Sequence, residues 1–244
     1  VNLRRIFGHQ FLDLEFGGPV DLFQASRLER LLERNPGIRA ISSHTLTLPA
    51  PSRDEWRVLP IIILRHPMDR ILSIYTYERA QDSDTPGARM AKKWEFPDYV
   101  EARLNMPDDI VLRNWQTGWL ACDRLDKSKY STDDEVLFDA ASEVLEGLPF
   151  IGVVERFKDS LQHLNRVLHN RAIEAVFQME KKNRSSIGPN SLHERVDLIR
   201  NMIGNDLYQR LEQANALDLR LHQMAYDMLA ARLAGRPCDQ VHRY

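Results

Sequence analysis

The chain has 244 residues, 43% of them hydrophobic, which is enough for one sizeable core in a single domain spanning 1–244. Its 33 basic and 35 acidic side chains leave a formal charge of −2, which argues against the broad basic face that nucleic-acid binding needs. The two cysteines, Cys122 and Cys238, lack a C-x-x-C or histidine partner at metal-ligand spacing, so no metal site is expected; free thiols fit a reducing, cytoplasmic setting, and the alternative is one disulfide between them. No apolar run approaches the roughly 20 residues of a membrane span, and no signal peptide is visible.

In chain order, Leu3, Ile6, Phe7 and Gln10 share a helical spacing, and Gly8 reads as the stop of that helix. Gly17-Gly18-Pro19 is a turn, Val20 to Glu33 a helix, and Asn35-Pro36-Gly37 its end. Ile38 to His44 reads as a short strand and Thr45 to Ser52 as a loop. Val58 to Leu64 is the next strand, so the two strand ends at His44 and Arg65 are expected side by side. Within it, Ile61 to Leu64 form a continuous apolar run, which suits a strand buried on both faces of a parallel sheet. Arg65 stands where that strand ends. His66-Pro67 breaks it, because proline has no amide donor and restrains the residue before it. From Met68 the pattern turns helical, with Ile71, Ile74 and Tyr75 on one face and Arg70, Ser73 and Tyr77 on the other. A strand ending in arginine, a tight turn and a helix opening with Arg70 and Ser73 form a good place for an anion. The structural alternative is that Arg65 and Arg70 pair with acids, Arg70 with Asp69 or Glu78.

Gln81 to Ala88 reads as a polar loop, Phe96 to Leu104 as a helix and Asn105 to Asp109 as a loop. Asp123 to Asp134 is charged and exposed, and Asp134 to Gly147 is helical. Phe150 to Arg156 is a strand, with Glu155 and Arg156 expected to pair with each other. It passes into a helix whose inner stripe is Phe157, Leu161, Leu164 and Leu168. Lys181 to Ser186 is basic and polar. Ser191 to Ile203 is a helix, Gly204-Asn205 a break and Asp206 to Gln213 a helix. Asp218 is positioned to cap a last helix that buries Leu221, Met224, Ala225, Met228 and Leu229. The expected fold is α/β: a P-loop-type parallel sheet of four to five strands flanked by helices, with a helical C-terminal part. Strands centred on Ile41, Ile63 and Val153 are the firmest elements.

The stretch L-R-H-P-M-D-R-I-L-S-I-Y, residues 64–75, resembles the 3′-phosphate-binding segment of PAPS-dependent sulfotransferases, L-R-[DHN]-P-x-x-R-x-x-S-x-Y. Two further blocks resemble the carbohydrate-type, heparan sulfate 2-O-like branch. They are N-x-Q-T-x-x-L at 114–120 and F-I-G-V-V-E-R-F-x-x-S-L at 150–161. The resemblance implies that Arg65 and Ser73 hold the 3′-phosphate of the donor PAPS, with Arg70 on the same phosphate. Lys182, Asn183, Arg184 and Ser185 would close over the nucleotide, and Arg113, Asn114 and Gln116 would face the acceptor. His44 is the candidate general base, since histidine titrates near neutrality; His66 is a weaker rival. Trp115 and Trp119, four residues apart, read as core.

The activity implied is transfer of a sulfuryl group from PAPS to a hydroxyl acceptor, a glycan or small metabolite, leaving PAP and using no metal. The family's lysine-bearing 5′-phosphosulfate loop is not in the sequence and is expected just upstream of Val1. Two other functions compete. One is a non-catalytic nucleotide-binding or interaction protein of the same fold, and the other is a P-loop kinase, which would need a Walker-type lysine loop and acidic Mg²⁺ ligands. A Golgi-lumen setting would replace the cytoplasm if the chain is the lumenal part of an anchored protein.

Overall fold

The computed structural model describes residues 2–14, 25–43, 48, 50–121, 133–178 and 191–235. The fold is mixed α/β and largely helical. Helix α1 (Asn2–Phe7) ends at Gly8, which takes φ 54°, and strand β1 (Phe11–Leu14) follows a single 3-10 turn. Helix α2 (Ala25–Arg34) leads to strand β2 (Ala40–Ser43), which lies parallel to β1 with Leu12 opposite Ile41. Strand β3 (Ile62–Leu64) lies parallel to β4 (Ile151–Val153) with Ile63 opposite Gly152. The three strands expected around Ile41, Ile63 and Val153 are present. They are shorter than expected, and they form two two-stranded ladders; among the described residues no ladder joins β2 to β3.

Between and after the strands run α3 (Pro67–Ala80), α4 (Pro86–Lys93), α5 (Phe96–Leu104), α6 (Trp115–Ala121) and α7 (Asp134–Gly147). The C-terminal part is α8 (Phe157–Asn170), α9 (Leu192–Ile203), α10 (Asn205–Gln213) and α11 (Ala216–Leu233). Among the described residues no helix is long and apolar enough to cross a membrane.

Strand β4 is buried throughout, but β3 is not the strand buried on both faces that the Ile61 to Leu64 run suggests: Leu64 is buried, whereas Ile61 is 42% and Ile63 36% exposed. On one face Leu64, Ile151 and Val153 pack with Leu120, Leu145, Leu221, Ala225 and Leu229 of α6, α7 and α11. On the other, Phe150 packs with Leu161, Leu164 and Leu168 of α8, and with Leu3, Ile6 and Phe7 of α1. A third cluster joins α3, α5, α9 and α10 through Met68, Ile71, Tyr75, Phe96, Tyr99, Ile199 and Leu211.

The 150–161 block has a local physical account. The Ser160 hydroxyl accepts from the Val153 N–H at 2.8 Å and donates toward the Val153 and Arg156 carbonyls, each at 3.0 Å. It therefore satisfies the edge of β4 that β3 does not use. The approach is possible because residue 152 is glycine: a Cβ there would stand 3.0 Å from Ser160 Cβ and 3.1 Å from Ile63 Cγ1.

Several expectations are corrected. The N-terminal helical spacing hid β1. Gln81 to Ala88, expected as a loop, contains the start of α4 at Pro86. Proline suits a first helical position, and Thr85 caps the helix by accepting the Ala88 N–H. Phe157 is 39% exposed and so lies outside the core, although Leu161, Leu164 and Leu168 are buried. Trp115 and Trp119 stack at 5.5 Å but are only half-buried. Asp218 sits inside the first turn of α11 and is fully buried; it caps α6 rather than its own helix.

Candidate functional site at the carboxyl ends of β3 and β4

Arg65 leaves the carboxyl end of β3. Its backbone is gripped by one side chain: Gln116 accepts the Arg65 N–H at 2.9 Å and donates to the Arg65 carbonyl at 2.8 Å. The amide thus acts as one more residue of neighbouring strand. The Arg65 side chain, 31% exposed, reaches one turn into α3, where its Nε donates to Asp69 Oδ2 at 2.8 Å. Among the described residues its Nη groups make no hydrogen bond. Asp69 is only 4% exposed at its side chain, and its other oxygen accepts from Arg195 Nε at 2.9 Å. Burial pushes the Asp69 carboxyl up, but the two guanidinium groups outweigh it and hold the group below its usual range. Ser73 is half-buried in the second turn of α3, four residues after Asp69 and so on the same face.

Arg70 points elsewhere. Its Nη1 donates to the Val111 carbonyl at 2.9 Å, and its guanidinium lies over the Trp115 ring at 5.5 Å. Burial lowers its pKa to about 10. Neither Asp69 nor Glu78 is its partner: Asp69 takes Arg65 and Arg195, and Glu78 takes Tyr99 and Arg103.

The 113–117 segment is spent on the protein's own frame. Asn114, in the left-handed region at φ 41°, caps α11 by accepting the Leu217 and Asp218 N–H groups at 3.0 and 3.2 Å. Asp218 returns the favour to α6, accepting the Gln116 N–H at 3.1 Å, the Thr117 N–H at 2.7 Å and the Thr117 hydroxyl at 2.7 Å. Each helix start is therefore capped by a side chain at the start of the other. Arg113 donates to the Arg103, Leu104 and Asp109 carbonyls and closes the end of α5. Of the three residues assigned to the acceptor, Gln116 alone touches Arg65, and its polar atoms are already used there.

Beside this cluster, at the end of β4, Glu155 accepts the His66 N–H at 2.8 Å and meets His222 Nε2 at 2.9 Å. The expected Glu155–Arg156 pair is absent; Arg156 binds Asp159 instead. Burial raises the Glu155 carboxyl, but the His222 and His66 contacts outweigh it and hold it low. The His66 ring stands edge-on to His222 at 5.3 Å, and among the described residues its buried Nδ1 has no hydrogen-bond partner. Burial, with repulsion from His222, lowers the His66 imidazole to about 4, so it is neutral at pH 7.

His44, Lys182, Asn183, Arg184 and Ser185 lie outside the described residues, as do both cysteines. The surface depression lined by Pro97, Glu101, Ile203 and Arg210 shares no residue with the Arg65 cluster. Sequence reasoning missed Arg195 as the second partner of Asp69, and Glu155 and His222 as neighbours of His66. Asp69 was legible as an acid at i+4 from Arg65, but the other three are brought in by tertiary packing across roughly 90 to 157 residues of chain.

No protein-family model and no solved structure matches the chain. A protein of Archaeoglobus fulgidus, described as an uncharacterized protein, is 32% identical over 231 residues, covering 93% of this chain and 89% of that protein. At that identity and coverage, the chain belongs to the same family as the Archaeoglobus fulgidus protein.

Proposed function

We propose that the protein is a PAPS-dependent sulfotransferase that moves a sulfuryl group to a hydroxyl acceptor, a glycan or a small metabolite. One observation carries this reading. A half-buried arginine stands at the carboxyl end of a parallel strand, its backbone clamped by Gln116 and its guanidinium aimed by Asp69, with Ser73 one turn further along the helix. Ligands of parallel α/β sheets collect at that end, and a guanidinium whose orientation is already set loses little entropy on binding phosphate. The Arg65 Nη groups and the Ser73 hydroxyl fit a 3′-phosphate. Arg70, turned to Val111 and Trp115, supports the frame of that site and does not touch the phosphate.

The finer fold belongs to the same proposal. The Ser160 hydroxyl closes the outer edge of β4, while among the described residues β3 and β2 each pair on one side only. One further parallel strand between β2 and β3 would join the two ladders into a single five-stranded sheet. PAPS would supply an activated sulfuryl group. The protein's share is positioning and charge neutralisation, with His44 taking the acceptor hydroxyl's proton as the oxygen attacks sulfur and the bond from sulfur to the 5′-phosphate oxygen breaks. Gln116 positions Arg65. Lys182 and Arg184 are assigned to the nucleotide and Arg113 and Asn114 to the frame of the acceptor side.

The test is PAP binding. Ligand at 100 times its Kd adds about 2.7 kcal/mol of stability, a Tm rise of roughly 5–10 °C for a chain of this size. Arg65→Ala should abolish most of that rise, and His44→Ala should lower turnover while leaving it intact. No shift at millimolar PAP would reject the donor assignment. PAP binding without sulfuryl transfer to any hydroxyl acceptor would favour the non-catalytic binding protein.

A further inference from the structure

The parallel ladder of β3 ends at Leu64, which lies opposite Val153. Beyond it the backbone is held by side chains. The Arg65 N–H and carbonyl are taken by Gln116 at 2.9 and 2.8 Å, and the His66 N–H by Glu155 Oε1 at 2.8 Å. The Arg65 carbonyl and the His66 N–H belong to one peptide plane. Gln116 of α6 holds its oxygen side, and Glu155, in the turn after β4, holds its nitrogen side. The plane before Arg65 is pinned as well, through the Arg65 N–H. Both backbone torsions of Arg65 are therefore fixed, and with them the direction in which its side chain leaves the chain.

Both holding residues are in turn held by α11. Asp218 Oδ2 accepts the Gln116 N–H at 3.1 Å, and His222 Nε2 meets Glu155 Oε2 at 2.9 Å. An ionised carboxylate only accepts, so the proton of that contact sits on His222 Nε2. Asp218 and His222 are four residues apart and share one face of the helix. Asp218 is fully buried and His222 is 5% exposed, among the buried Leu217, Leu221, Ala225 and Leu229. A carboxylate and an imidazole in such a face cost desolvation unless each has a partner. Each is spent on a residue that grips the Arg65–His66 peptide.

We propose that His222 is a positioning residue of the anion site: through Glu155 it fixes the peptide plane behind Arg65, opposite the hold that Asp218 exerts through Gln116, and so aims the guanidinium at its phosphate. This rests on the donor reading above for the identity of the ligand. The last helix thus sets the strand end that carries the arginine without touching the ligand.

The experiment is calorimetric titration of PAP into the wild-type protein, His222→Phe, His222→Gln and Leu229→Ala. In the same four proteins without ligand, NMR measures hydrogen exchange of the His66 amide, referred to the Leu164 amide of α8. His222→Phe keeps a ring beside His66 and loses the donor, and His222→Gln restores a donor for Glu155. Leu229→Ala removes core packing from the same helix and touches neither relay. The expected result is that His222→Phe weakens PAP about 5- to 10-fold, the range of one hydrogen bond, and speeds His66 exchange by a similar factor. His222→Gln should recover both to within about 3-fold, and Leu229→Ala should leave PAP within about 2-fold of wild type. If His222→Phe binds PAP as the wild type does, or if His222→Gln or Leu229→Ala loses as much as His222→Phe, the inference is overturned and the donor reading stands. Weaker PAP with an unchanged His66 amide also overturns it, because the effect then does not pass through that peptide. If the wild type ignores PAP, the donor reading falls and the amide decides alone. Faster exchange in His222→Phe with recovery in His222→Gln keeps His222 as the residue that sets the Arg65–His66 peptide, and unchanged exchange overturns that as well.

Discussion

Replacing Gln116 tests whether the strand end that carries Arg65 is held by a side-chain amide. Gln116 makes two hydrogen bonds to a single residue, at 2.9 Å to the Arg65 N–H and 2.8 Å to the Arg65 carbonyl, and is itself 9% exposed. Gln116→Leu keeps the bulk and loses both. Two backbone groups are then left unpaired in a part-buried site, at about 1–2 kcal/mol each, for a total of about 3 kcal/mol. For a chain of this size that lowers Tm by roughly 6–12 °C. Gln116→Glu separates geometry from chemistry. Its carboxylate can still accept the Arg65 N–H, but its second oxygen faces the Arg65 carbonyl. Only the protonated acid can donate there, so this variant should be more stable relative to wild type at pH 5 than at pH 8, because the folded state binds the proton more tightly than the unfolded chain does. Urea denaturation at the two pH values measures this. PAP affinity should fall in both variants at pH 8 although neither touches the ligand. A Gln116→Leu midpoint within 0.5 kcal/mol of wild type (about 1–2 °C) would refute the clamp.

Three other predictions concern stability. Asp218→Ala strips the cap from α6 and leaves two N–H groups and the Thr117 hydroxyl without a partner, so a loss of about 3–5 kcal/mol is expected by urea denaturation, and wild-type stability would refute the reciprocal cap. Gly152→Ala puts a methyl group against Ser160 and Ile63 and should cost about 1–3 kcal/mol by overpacking; an unchanged midpoint would show that α8 can move away. His163 is 5% exposed against the Phe150 ring, and burial followed by repulsion from Arg232 and Arg166 lowers its imidazole to about 4. Between that value and an unfolded pKa of about 6.5 the unfolded chain binds the proton and the folded chain does not, so stability is fully present above pH 6.5 and is lost as pH falls toward 4. The His163 share is at most about 2 kcal/mol at pH 5, and His163→Phe should flatten the profile between pH 7 and 5 by that amount. An unaltered slope would assign the acid sensitivity to His66 and other groups.

Much of the frame was legible because its signals are local. The apolar run at Ile61 to Leu64, the His66-Pro67 break and the 3.6-residue period beyond it need only neighbours in sequence, and α3 begins where they place it. Helices α5 and α7 match their expected bounds, and α9 starts behind the expected Ser191. Gly8 was readable as a stop because few other residues adopt φ 54° without strain. The stretch Gln81 to Ala88 misled because a polar run with Pro and Gly suits a loop or the start of a helix alike. The deciding term is the Thr85 cap, together with the space Gly87 leaves beside the Glu78 carboxylate, and neither is visible in a turn signal.

Residue identity alone determined that Arg65 stands at the end of a strand with Ser73 in the helix that follows, and that the acid–base balance is near neutral. Tertiary structure alone decided what those residues face. It turned Arg70 away to Val111, spent Asn114 and Asp218 on capping each other's helices, gave Gln116 to the Arg65 backbone and brought Arg195 to Asp69 from 126 residues away. The physical reason is that a polar side chain takes whichever partner lies within about 3 Å in the folded state. That partner is fixed by how helices pack, a property of the whole core rather than of any one segment.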